Sequence, residues 1–265
     1  MPDSLIDFRL TQEPFYQSIY NEIELFESAF ARRLPILIKG PTGCGKTRFV
    51  QYMAWRLKRP LVTVVCYEDL SVADLVGRWL LDANATQWQD GPLSQAARYG
   101  AICYLDEFVE ARANTTVAIH SLTDTRRQLV LTACNQTVSA HPDFQLVVSY
   151  NPSVLSEEIR PATRQRFCAL NFSYPTLEIE TKIVAEESGL DTVRAHQVTH
   201  FGVSTRRLQG LGLEEGASTR MLVGAASLVV QGLSLHSACR MAIVDALTDV
   251  IPIHQALMLS LDAAF

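Results

Sequence analysis

No run of Lys or Arg longer than a pair occurs in the 265 residues, and the formal net charge is -5. The chain therefore lacks the basic stripe that marks most nucleic-acid and anionic-membrane binders, and neither is expected among its partners. A DNA motor is weakened by this, though a hexameric pore can hide a few basic side chains. Closely spaced cysteines are also missing. The six thiols, at 44, 66, 103, 134, 168 and 239, form no C-x-x-C pair and read as reduced residues in or near a core. Long apolar runs are absent too. The longest weakly polar stretch, Met221 to Val230, is broken by Gly224 and Ser227 and falls well short of the roughly 20 residues that span a bilayer. The N-terminal MPDSLIDFRLTQEP has neither a basic start nor an apolar signal core, so a cytoplasmic protein is expected. What is present suits a globular chain with a sizeable core: 48% hydrophobic and 19% charged residues, enough for a main domain plus a small one.

Hydrophobic spacing organises the chain. Phe15, Ile19, Ile23, Phe26 and Phe30 recur at steps of three and four, predicting an amphipathic helix over 11–31. A short apolar run, Leu34 to Lys39, precedes a glycine-rich turn, and a helix is expected from about Thr47 to Lys58. Further strand-like runs are Leu61–Cys66, Ala101–Asp106, Phe144–Tyr150 and Cys168–Phe172. Near-continuously apolar strands separated by helical segments predict an α/β fold with a parallel sheet covered on both faces. After Pro175 the pattern turns helical, over 176–188, 218–231 and 234–248. Thr176, Ser218 and Ser234 are N-cap candidates there, and Gly189 and Gly232 are stops. A boundary near 175 follows. Residues 67–98, with Trp79, Trp88 and Asp90-Gly91-Pro92, and residues 127–143, a hairpin turning at Asn135-Gln136, read as insertions.

Gly40-Pro41-Thr42-Gly43-Cys44-Gly45-Lys46-Thr47 matches G-x-x-x-x-G-K-[ST], between a strand and a helix as that motif requires. The glycines let backbone N–H groups turn inward around phosphate oxygens. Lys46 brings positive charge to the β- and γ-phosphates. Thr47 offers a hydroxyl to Mg²⁺ at a helix start whose dipole favours anions. The run Ala101-Ile-Cys-Tyr-Leu-Asp106-Glu107 ends a strand in two carboxylates, at the sheet edge where open α/β folds bind ligands. Asp106 would hold Mg²⁺ through its water shell, and Glu107 would polarise an attacking water. That glutamate favours hydrolysis of ATP over a P-loop kinase, which transfers phosphate to a small molecule. The next strand ends at Asn151-Pro152, and Asn151 is placed to reach the γ-phosphate beside Glu107. Standing alone, Asn before Pro is simply a turn.

Together these residues resemble the AAA+ ATPases over nearly the whole chain. The resemblance implies a P-loop core with a five-stranded parallel sheet and helices on both faces over 1–175. It also implies a small helical C-terminal lid over 176–265. Lys46 and Thr47 match Walker A, Asp106 and Glu107 Walker B, and Asn151 sensor 1. In Arg160-Pro-Ala-Thr-Arg164-Gln-Arg166-Phe167, Arg166 looks like the arginine finger offered to a neighbouring subunit, with Arg160 and Arg164 as alternatives. In Gly216-Ala-Ser-Thr-Arg220, Arg220 matches sensor 2, which would meet the γ-phosphate in cis. The implied catalytic set is Lys46, Glu107, Asn151, Arg166 and Arg220. ATP would lie on residues 40–47 with Arg220, and Mg²⁺ on Thr47 and Asp106.

The finer resemblance is to the MoxR branch and its CbbQ/NorQ group. It is carried by Lys39 to Phe49, Gly100 to Glu107 with Val109 to Arg112, Ser149 to Pro152, Thr163 to Phe167 and Glu215 to Arg220. The insertions fall where that branch carries its helix-two insert (within 67–98) and its presensor hairpin (127–143). Tyr67, Trp79 and Trp88 thereby become candidates for partner contact, the alternative being that the tryptophans pack under their own loops. Residues 153–159, Ser-Val-Leu-Ser-Glu-Glu-Ile, depart from the longer glycine-containing segment usual in the group. Likeness to CbbQ implies a homohexameric ATPase motor of a Rubisco activase. It would work with a CbbO-like partner bearing a von Willebrand factor A domain, on Rubisco as client. A NorQ-like motor that matures a metalloenzyme such as nitric-oxide reductase is the alternative. His196 and His200 have the i, i+4 spacing of a metal pair, but position 197 is Gln and no third ligand is evident.

Overall fold

The apolar runs of the first 175 residues form a parallel sheet in the computed structural model, which describes residues 8–81, 86–152, 159–210 and 212–265. The elements run α1 (Glu22–Ala31), β1 (Ile36–Lys39), α2 (Lys46–Arg56), β2 (Leu61–Val65) and α3 (Val72–Val76). A hairpin of β3 (Gly77–Leu81) and β4 (Thr86–Asp90) follows, then α4 (Pro92–Tyr99), β5 (Ile102–Asp106) and α5 (Ala113–Ala118). A second hairpin, β6 (Gln128–Leu131) with β7 (Gln136–Ser139), leads to β8 (Gln145–Tyr150), α6 (Pro161–Arg164) and β9 (Cys168–Asn171). The five-stranded sheet has the order β2-β5-β8-β1-β9 and is parallel throughout. Ile36, Leu37 and Ile38 are all buried, although successive side chains point to opposite faces, so both faces of β1 are covered. The expected α/β sheet is thus present, and its strands end together: Lys39 lies beside Tyr150 and Asn171, and Val65 beside Asp106.

The chain divides into two compact units, 1–40 with 46–172, and 41–45 with 173–265. In the first, α2 is anchored by Phe49, which is fully buried, meets Phe26 edge-on at 5.6 Å and lies 5.1 Å from Phe172. The second is helical: α7 (Leu177–Ser188), α8 (Thr192–Arg206), α9 (Thr219–Val230), α10 (Leu235–Cys239), α11 (Asp245–Leu247) and α12 (Ile251–Ala264). Thr176, Asp191, Ser218 and Ser234 cap α7, α8, α9 and α10 by accepting backbone N–H bonds. Gly189, at φ 73°, ends α7. Val198, Phe201, Leu222 and Leu257 pack at the centre of this unit.

Several expectations need correcting. The helix predicted over 11–31 begins only at Glu22. Pro14 disfavours a helix interior, and the segment before α1 instead wraps the Glu22 carboxylate. Tyr16 Oη (2.8 Å), Ser18 Oγ (2.9 Å) and the N–H groups of Ile19 (2.9 Å) and Tyr20 (2.7 Å) all donate to it. The hairpin expected over 127–143 turns through a 3-10 turn at Thr132–Cys134 and a left-handed Asn135, while Gln136 already belongs to β7 and pairs with Leu131. The helix expected over 234–248 contains a π-turn at Arg240–Val244. Both α8 and terminal α12 lie outside the helices anticipated. Among the described residues no helix is long and apolar enough to cross a membrane.

Candidate nucleotide site

Because β8 lies between β1 and β5, three strand ends meet along one edge of the sheet. The turn after β1, the Asp106-Glu107 pair ending β5 and Asn151 following β8 therefore emerge side by side. The first is shaped by glycine. Gly43 sits at φ 67° and Gly45 at φ 100°, which L side chains rarely adopt. A Cβ on Gly43 would also stand 2.7 Å from Ser218 Cβ, so this turn and the start of α9 approach too closely for any side chain. Lys46 Nζ donates to the Gly40 carbonyl at 2.8 Å, which folds its ammonium back over the turn. The opening turn of α2 contributes backbone N–H groups with no intrahelical acceptor, a ready anion site.

Thr47 is directly tied to Asp106, its Oγ1 donating to Oδ2 at 3.1 Å. The other carboxylate oxygen, Oδ1, accepts from Tyr104 Oη at 2.8 Å, from the Glu107 N–H at 3.1 Å and from Ser149 Oγ. Tyr104 and Ser149 are 2.9 Å apart and fully buried. Burial and the neighbouring Asp106 charge push the Tyr104 phenol far above its ordinary value, so it stays a neutral donor. A threonine hydroxyl beside a fixed carboxylate is an oxygen-only donor set, the chemistry that suits Mg²⁺ rather than a soft metal. Glu107 is exposed and left-handed (φ 55°, ψ 42°), an uncommon conformation for a glutamate. That kink turns its backbone away from the strand direction just beyond Asp106.

Asn151 is half-buried, and the departing segment after it, residues 153–158, lies outside the described residues. Arg160, Arg164 and Arg166 are exposed around α6, and Arg166, two residues before β9 begins, lies at the opposite edge of the sheet from Lys46. His120 Nε2 and Thr163 Oγ1, 2.9 Å apart, tie α6 to the segment after α5. Burial and then the Arg166 charge lower the His120 pKa. Arg220 is the second residue of α9 and is exposed; its Cβ lies 3.5 Å from where a Gly43 Cβ would be.

The two insertions touch. Trp79 pairs across β3–β4 with Trp88, ring on edge at 5.6 Å, and its Nε1 donates to the Ala133 carbonyl at 2.9 Å. Trp88 is half-buried and bonds Asp90 within its own hairpin, whereas Trp79 and Tyr67 stay about half exposed. His196 and His200 stack at 6.2 Å on α8, and the described residues contain no cluster of three or more metal-ligating side chains. None of the six cysteines is in a disulfide. Sequence reasoning gives Tyr104 and Ser149 no role; the one faint signal is that Tyr104 lies two positions before Asp106, the last residue of β5, and so on the same face.

Residues 35–167 match the family "AAA domain (dynein-related subfamily)", and residues 180–264 match "CbbQ/NirQ/NorQ C-terminal". The chain is 54% identical to the protein CbbQ of Hydrogenophilus thermoluteolus, over 91% of each chain. It is 53% identical to the denitrification regulatory protein NirQ of Pseudomonas aeruginosa, over 89% of this chain and 92% of that one. Among solved structures, a RuvB mutant from Thermotoga maritima shares the fold at a TM-score of 0.57 and 16% identity, covering 96% of this chain and 74% of that one. An AAA domain joined to that C-terminal region, with relatives matched along nearly their full length, makes the chain a member of the CbbQ/NirQ/NorQ family of AAA+ ATPases.

Proposed function

We propose that the protein is the ATP-hydrolysing motor of a Rubisco activase. It would act in the cytoplasm as a homohexamer with a partner carrying a von Willebrand factor A domain. Adjacency of β1, β8 and β5 carries the ATPase part, because it gathers Lys46, Thr47, Asp106, Glu107 and Asn151 at one sheet edge. In this reading the loop amides of residues 40–47 and the Lys46 ammonium bind the β- and γ-phosphates. Thr47 and Asp106 hold Mg²⁺, which when bound offsets charge on the phosphate oxygens. Glu107 takes a proton from water as the water oxygen bonds the γ-phosphorus. The bond to the β–γ bridging oxygen breaks, leaving ADP and phosphate. Asn151 orients that water. Arg166 meets the same nucleotide from the neighbouring subunit, and Arg220 meets it from the subunit's own helical region.

Rubisco as the client is supported by 54% identity to a CbbQ along nearly the whole of both chains. The deciding experiment adds this protein, its A-domain partner and ATP to Rubisco blocked by an inhibitory sugar phosphate, and measures recovery of carboxylation. ATP-dependent recovery supports the reading; none, with ATP still hydrolysed, removes Rubisco as client. The near-equal likeness to a denitrification regulatory NirQ favours a second reading, a motor that matures a metalloenzyme such as nitric-oxide reductase. It predicts that deleting the gene lowers reductase activity without altering Rubisco reactivation.

A further inference from the structure

The second unit buries a charge that the site as described does not use. Glu180, on α7, is fully buried and accepts from Arg206 Nη1 at 2.8 Å, from Arg206 Nη2 at 2.7 Å and from Thr219 Oγ1 at 2.5 Å. A carboxylate so far from water persists only when paired and fully bonded. Arg206 Nε donates to the Ala217 carbonyl at 2.7 Å, so all three nitrogens of the guanidinium are directed and its plane is set. That plane carries the Tyr174 ring, with Arg206 Cζ 3.7 Å from the ring centroid, a close cation–π stack. From this support the Tyr174 hydroxyl donates to the Thr42 carbonyl at 2.9 Å. The frame made by α7, α8 and the start of α9 thus ends on a single peptide group of the glycine-rich turn.

We propose that Tyr174 is a positioning residue for the phosphate loop, holding the Thr42–Gly43 peptide so that the Gly43 N–H faces a bound phosphate, with Arg206 and Glu180 fixing the ring. In a trans peptide the C=O and N–H point in opposite directions. A Thr42 carbonyl drawn to Tyr174 therefore turns the Gly43 N–H away from that ring. Gly43, at φ 67°, carries no side chain that could help fix this peptide, and the Tyr174 bond is one restraint on its orientation. Burial pushes the Tyr174 phenol up to about 12 despite the neighbouring Arg206 charge, so its hydroxyl remains a donor at neutral pH.

This inference rests on residues 40–47 being an ATP site, and the test separates the two. Tyr174→Phe keeps the ring on Arg206 and deletes only the donor. In the full chain, titration with a fluorescent ATP analogue should give a Kd about five-fold weaker than wild type, the worth of one hydrogen bond. KM for ATP should rise in parallel and kcat change less than about two-fold, with the nucleotide-free melting temperature nearly unmoved. Arg206→Lys, which cannot make the forked pair with Glu180, should weaken binding similarly and also lower the melting temperature. Unchanged affinity in either variant overturns the inference, as does a lower melting temperature for Tyr174→Phe at wild-type affinity, which would mark mere packing. Failure of the wild type itself to bind the analogue would remove the ATP reading and this inference with it.

Discussion

Thr47 Oγ1 and Asp106 Oδ2 meet at 3.1 Å, although 59 positions separate the two residues in the chain. One opens α2 after β1, the other closes β5, and β8 lies between those strands. Beneath them Tyr104 and Ser149 both donate to Asp106 Oδ1, so the carboxylate is aimed from within the sheet. Such support is what keeps a metal-binding oxygen in place.

Tyr104→Phe tests that support. The ring still fills its buried space, but Asp106 loses one donor. The Mg²⁺ concentration giving half-maximal ATPase activity should rise about ten-fold, the usual effect of losing an outer partner of a metal ligand. The far-ultraviolet circular dichroism spectrum should be unchanged. Unaltered Mg²⁺ dependence would remove Tyr104 from the positioning of Asp106.

Glu107→Gln should separate binding from hydrolysis. The exposed, left-handed residue makes few demands on packing, so the amide fits where the carboxylate stood. ATP should bind with wild-type affinity while phosphate release falls by about 10²–10⁴-fold, the span associated with loss of a general base. Rapid turnover by this variant would sink the role given to Glu107.

The nucleotide loop was legible because its requirements are local: glycines for backbone torsions, Lys46 and Thr47 at fixed offsets. The strand-terminal Asp106-Glu107 pair was legible for the same reason, as were the N-caps Thr176 and Ser218. What escaped depends on elements brought together from afar. Ser149 matters only because β8 settles beside β5. Tyr174 and Arg206 matter only because α8 packs by α7 and buries Glu180. Periodicity misled where a polar demand overrode it: Phe15 and Ile19 continue the spacing of α1, yet a buried carboxylate at Glu22 draws the chain into a clasp. The Trp79–Trp88 hairpin gave no alternating pattern to read, since β3 is exposed beyond Gly77 on both faces.

That clasp predicts a pH dependence. Burial alone would raise the Glu22 carboxyl, but the bonds from the Ile19 N–H, the Tyr16 hydroxyl and the Tyr20 N–H outweigh it and hold the pKa below 4.5. A folded pKa lower than the unfolded one contributes stability above pH ~4.5, and that stability is lost as pH falls through the folded value. Glu22→Gln should lower the melting temperature by about 3–6 °C at pH 7. It should also flatten the fall in melting temperature between about pH 5 and 3 relative to wild type. Parallel curves for the two proteins would show that Glu22 contributes no linkage.

Arg166 should act on a neighbouring subunit, because the sheet separates it from its own loop. Cys168 pairs with Ile36 at the start of β1, whereas the loop leaves beyond Lys39, which pairs with Asn171. At about 3.3 Å per residue the loop is roughly 10–13 Å farther along the sheet than Cys168, and Arg166 lies two residues before that strand begins. An arginine side chain cannot cover that span, and Arg166 is exposed, as a residue offered outward must be. Arg166→Ala should therefore bind ATP yet hydrolyse it about 10³-fold more slowly, the smaller effect known for arginine fingers. Lys46→Ala should not bind ATP. Mixed in equal amounts, the two inactive variants should recover a measurable part of wild-type activity, since some interfaces pair an intact loop with an intact finger. No recovery, with mixed assemblies verified by differently tagged subunits, would count against action in trans. Arg160→Ala and Arg164→Ala, put through the same mixing, identify which arginine of the turn is the finger.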